Sequence, residues 1–77
     1  MEFIGIRNIE DLQSYKTIHL GEITIHIPSC YYNPIAYLKK NCVLWLQISE
    51  KGDCEIFRIT NEKSWKKEIL EYVKHRE

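Results

Sequence analysis

Thr17-Ile18-His19-Leu20-Gly21-Glu22-Ile23-Thr24-Ile25-His26-Ile27 is the stretch that decides the fold class. Two runs alternate apolar and polar residues with period two, and a glycine-first, two-residue loop joins them, the signature of a tight antiparallel hairpin. The register follows from the loop. Pairing Leu20 with Ile23 sets Ile18 opposite Ile25 and gathers Ile18, Leu20, Ile23, Ile25 and Ile27 on one face, leaving Thr17, His19, Thr24 and His26 on the other. The first face is expected to be core and the second wet.

Upstream, Phe3 to Arg7 is a short apolar strand followed by Asn8, whose side chain can cap a short helix opening at Ile9, with Asp11 favouring the positive end of that helix. Downstream, Pro28 lacks a backbone donor and ends the hairpin; Asn33-Pro34 then reads as a cap and first helical position for a second short helix, Pro34 to Lys40. Tyr32 ahead of that cap is placed to pack on Tyr37. Cys42 to Ile48 and Cys54 to Thr60 form a second hairpin around Glu50-Lys51-Gly52-Asp53. A three-residue loop closed by Gly52 would set Trp45 opposite Phe57, Val43 opposite Ile59 and Leu46 opposite Ile56; a four-residue loop would shift this pairing. From Asn61, a candidate cap, the period becomes helical, with Trp65, Ile69, Tyr72 and Val73 on one face and lysines and glutamates on the other.

Taken in order, these elements predict one α+β domain spanning residues 1–77: a small antiparallel sheet of two hairpins plus an N-terminal strand, a C-terminal amphipathic helix packed across it, and two short helices. A chain of 77 residues leaves no room for a second domain.

Composition limits the function. Lys plus Arg number 11 and Asp plus Glu number 11, so the cationic surplus that drives phosphate-backbone binding is missing and nucleic acid is disfavoured as a partner. A neutral chain also resists self-association weakly, which leaves a homodimer open. Cys30, Cys42 and Cys54 are odd in number and lack the dense pairing of a disulfide scaffold. Together with the absence of a leader pattern or a long apolar run, that points to a reducing, cytoplasmic setting with no membrane association.

Chemistry-bearing patterns are sparse. His19 and His26 share a hairpin face, but no third ligand stands at metal spacing and no Cys-x-x-Cys occurs, so no metal is expected. Cys30, in a loop near the strand that carries His26, forms no nucleophile motif, and Cys42 and Cys54 read as small buried hydrophobes. The glycines at 5, 21 and 52 are isolated, so no phosphate loop and no cofactor are expected.

The remaining signal is aromatic. Tyr31 and Tyr32 in the loop between Pro28 and Pro34, with Tyr37, His19 and His26, are the candidate partner-binding residues, because tyrosine and tryptophan concentrate at interface hot spots. The expected function is a non-catalytic protein-binding module, by analogy a small phage-type inhibitor or adaptor, acting on a larger protein or on itself. The alternative is a small nucleic-acid-binding or regulatory domain that stacks bases on aromatics and reaches phosphates with Lys39, Lys40, Lys63, Lys66 and Lys67.

Overall fold

A computed structural model describes residues 1–29, 43–61 and 63–76. It contains strands β1 (Glu2–Asn8), β2 (Tyr15–Leu20), β3 (Ile23–Pro28), β4 (Val43–Gln47) and β5 (Asp53–Arg58), and a helix α1 (Trp65–Arg76). The five strands make one antiparallel sheet in the order β1-β5-β4-β3-β2. The class is therefore α+β, with the C-terminal helix α1 laid on one face of the sheet.

The β2–β3 hairpin has the register its sequence dictates, with Leu20 paired to Ile23 and Ile18 to Ile25, and Gly21 at φ +63° carries the turn. Ile25 and Ile27 are buried and Ile18, Leu20 and Ile23 pack on the same cluster. On the opposite face Thr17 and His19 are exposed, but His26 is not: only 5% of it reaches solvent. β3 is an interior strand that also pairs with β4, His26 opposite Trp45, so a residue expected to be wet lies in the middle of the sheet.

The second hairpin differs from the three-residue expectation. Ile48 donates its amide to the Asp53 carbonyl at 2.8 Å, leaving Ser49, Glu50, Lys51 and Gly52 as a four-residue loop. Each pairing moves by one, so Trp45 meets Ile56, Leu44 meets Phe57 and Val43 meets Arg58. Phe57 thereby leaves the Trp45 side for the helix side. Leu44, Leu46, Phe57 and Ile59 form the main core with Ile25, Ile27, Trp65 and Ile69. Trp45, Cys54 and Ile56 make a smaller cluster on the other face, against Ile9, Leu12 and Val43.

The first short helix is shorter than its sequence suggests. Asn8 does cap, its Oδ1 accepting from the Glu10 amide at 3.0 Å, but the element it caps is a single 3-10 turn, Ile9–Asp11. Its Ile9 amide is taken by the Gly52 carbonyl at 2.7 Å and Leu12 is already extended, so the chain leaves the turn to cross the small cluster. The second, Pro34 to Lys40, lies outside the described residues. Asn61 caps only a turn, accepting from the Lys63 amide at 2.9 Å, and the helix proper starts at Trp65. Nor is α1 cleanly two-faced: Trp65 and Ile69 are buried, yet Leu70 is exposed.

Candidate functional site

The hydrogen-bond ladder places β1 and β2 at the two edges of the sheet among the described residues. β1 is seven residues long and carries three large apolar side chains that are about half exposed: Phe3 is 52% exposed, Ile4 46% and Ile6 62%. Edge strands ordinarily protect their unpaired amides and carbonyls with lysine, proline or an inward charge. β1 has neither lysine nor proline, and its only charges, Glu2 and Arg7, lie toward its ends. Just ahead of it, the Met1 ammonium pairs with Glu68 of α1 at 3.2 Å. Phe3 stacks edge-on against Phe57 at 5.6 Å, the last core ring before solvent. A long apolar edge of this kind is a template for strand addition by another chain.

The sequence marks β1 as a strand but not as an edge. Strand order comes from long-range pairing with β5, and no local pattern announces it. The usable signal is the absence of period-two alternation in Phe3-Ile4-Gly5-Ile6, which an ordinary half-buried strand would show.

Of the residues singled out from sequence, Tyr31, Tyr32, Tyr37, Lys39, Lys40, Cys30 and Cys42 lie outside the described residues. His19 and His26 are both described and do not act together. His19 is exposed, its Nδ1 3.4 Å from the Thr24 hydroxyl. His26 is locked inside the sheet. The Gln47 amide donates Nε2–H to the Ser49 carbonyl at 2.9 Å, which turns its Oε1 toward His26 Nε2 at 2.6 Å. The imidazole must donate there, leaving Nδ1 to accept from the Thr17 hydroxyl at 2.8 Å. Tyr15 covers the ring edge-on at 5.0 Å. With both nitrogens satisfied, His26 ties β2, β3 and β4 together. Among the described residues no group of three or more His, Cys, Asp or Glu is placed to hold a metal.

On the helix side the buried polar group is Glu55, 6% exposed and opposite Leu46 on β4. Its Oε2 accepts from the Tyr72 hydroxyl and its Oε1 pairs with Arg76. The Arg76 guanidinium also sits over the Tyr72 ring at 5.4 Å, so the last turn of α1 is pinned to the centre of β5. Replacing Arg76 with alanine leaves that carboxylate with one neutral donor in a poorly hydrated place, at an expected cost of about 1–3 kcal/mol. Adding Glu55→Gln should return part of the loss, because an amide keeps the Tyr72 bond without a buried charge. Urea unfolding of the two single variants and the double checks this; strict additivity would refute the coupling.

Cys54 is fully buried in the smaller cluster, its Sγ 3.3 Å from the Gly52 carbonyl. Burial first, then the neighbouring Asp53 carboxylate, pushes its thiol up to about 11. The folded state therefore holds this proton more tightly than the unfolded chain, whose thiol titrates near 9.0. Stability from this group is present below pH 9.0 and is lost as pH rises toward about 11. Mass mapping should find Cys54 resistant to iodoacetamide at neutral pH in the native protein and modified once urea unfolds it; rapid native labelling would contradict the burial.

Beside α1 an open groove of about 600 Å³ runs past Lys67, Glu71, Tyr72, His75 and Arg76. Its charges are mixed and partly satisfied within the chain, Glu71 by His75 at 3.3 Å and Arg76 by Glu55. The basic run Lys63, Lys66 and Lys67 is exposed, with Lys66 folded over the Trp65 ring at 5.5 Å.

Fold and surface define a class of small sheet-and-helix domain with an open apolar edge strand, in which no described helix is long and apolar enough to cross a membrane. No family model, curated protein or solved structure matches the chain.

Proposed function

We propose that this protein is a non-catalytic protein-binding module that engages its partner through the β1 edge. The observation that supports this reading most strongly is the half-exposed set Phe3, Ile4 and Ile6 on a strand whose outer side has no neighbour among the described residues. Main-chain hydrogen bonds to an added strand would supply affinity, and the alternating side chains would supply selectivity. The near-neutral charge favours an apolar protein contact over a phosphate backbone.

A photoreactive phenylalanine analogue placed at Ile6, with the same residue at exposed Glu22 as the control, tests this in purified protein and in lysate of the source cells. Irradiation should give a protein adduct from position 6 and none from position 22. Equal yields, or no adduct from position 6, would remove the proposal.

A further inference from the structure

The chemistry of β1 identifies the chain that would cover it. Phe3 stands opposite Phe57 and Gly5 opposite Ile56, adjacent residues of β5, so Ile4 and Gly5 share one position and the strand bulges there. The bulge shifts the alternation of side chains. Phe3 and Ile6 both lie on the α1 side, opposite Phe57 and Glu55, although they are three apart in sequence. Glu2 and Arg7 both lie on the Trp45 side, opposite Arg58 and Cys54.

We infer that the β1 edge pairs with β1 of a second copy of this chain, antiparallel, about a two-fold axis through the Ile4–Gly5 bulge. In that register Glu2 meets Arg7 of the partner subunit and Phe3 meets Ile6 of the partner subunit, and the symmetry repeats each pair. Both of these pairs are favourable: opposite charges on one face, an aromatic against a β-branched side chain on the other. Without the bulge, residues three apart would point to opposite faces and Phe3 could not meet Ile6 in any two-fold pairing. The bulge thus makes the edge complementary to itself. Glu2 is free to take a second cation, since its ion pair with Arg58 is long, 3.5 Å, and solvent-exposed. A chain with 11 charges of each sign sets up no net repulsion between copies. One added strand pair buries an area at the low end for specific contacts, below about 1,200 Å². The expected product is a weak dimer with a continuous sheet across the junction.

This inference rests on the reading of β1 as a protein interface, and sedimentation velocity on the full chain from micromolar to submillimolar concentration tests it separately. Wild type should pass from monomer to dimer over that range, and Ile6→Lys should stay monomeric with an unchanged circular dichroism spectrum. Glu2→Arg and Arg7→Glu each place like charges opposite one another twice per dimer and should weaken association by about tenfold or more. Mixed together, the two charge variants make every cross-pair attractive again, so the mixture should dimerise where neither does alone. A monomeric wild type, a dimer indifferent to Ile6→Lys, or a mixture no better than its components would overturn the self-pairing. The crosslinker at position 6 separates the two ideas: an adduct of mass other than twice the chain refutes self-pairing and leaves the interface standing, whereas no adduct refutes both.

Discussion

Phe57→Ala is expected to remove about 3–5 kcal/mol of folding stability, a loss comparable with the whole reserve of a domain this small, about 0.05–0.15 kcal/mol per residue. The reason is position more than size. Phe57 is 2% exposed and pairs with Leu44 at the centre of the sheet. Its ring meets Tyr72 of α1 edge-on at 4.9 Å and Phe3 of β1 edge-on at 5.6 Å. One side chain therefore joins the helix, the sheet centre and the edge strand β1. Removing it leaves a cavity that α1 cannot close without giving up the Tyr72 and Arg76 contacts to Glu55. The variant should be largely unfolded at room temperature, or retain a urea midpoint far below wild type. Phe57→Leu, which conserves most of the volume, should cost under about 1.5 kcal/mol. Phe3→Ala, at a half-exposed site, should cost less still while weakening association. A small loss for Phe57→Ala would show that the core is centred elsewhere.

Local chemistry made the β2–β3 hairpin legible, because Gly21 and strict alternation on both sides leave one register that buries all the isoleucines. The Asn8 cap was legible for the same reason: its partner, the Glu10 amide, is two residues away. The features hidden from sequence depend on contacts distant along the chain. His26 alternates with isoleucines like a surface residue, and only the pairing of β3 with β4, together with Gln47 and Thr17, turns it into a buried junction. β1 announced itself as a strand, but its place at the sheet edge is set by β5. The candidate site suffered most, since an interface made by an edge is a property of strand order, whereas the aromatic residues chosen from sequence were a property of composition.

Gly52→Ala is the second large effect, and it explains why the second hairpin took the longer loop. Gly52 sits at φ +93°, and a Cβ there would fall 2.5 Å from Ile9 Cγ2. Its carbonyl accepts from the Ile9 amide at 2.7 Å, while Asn8 Nδ2 donates to the Lys51 carbonyl at 3.0 Å. The loop is thus shaped by the end of β1, docked against it from more than forty residues away in sequence. Ser49 supports the same shape, its Oγ accepting from the Asp53 amide at 3.2 Å and its carbonyl accepting from the Gly52 amide at 3.2 Å. Alanine at 52 meets a backbone penalty of about 1–2 kcal/mol and an overpacking penalty of about 1–3 kcal/mol. Gly21→Ala separates the two terms, because Gly21 also has positive φ, +63°, but nothing lies within 4 Å of its Cβ position. That variant should lose the backbone part alone. Combining Gly52→Ala with Ile9→Ala should then cost less than the two singles added together, since the second substitution removes the atom the first one strikes. Urea midpoints for the four variants decide it. Equal losses at positions 21 and 52 would mean that the turn after β1 does not press on the loop, and that its docking is not what selects the register of β4 against β5.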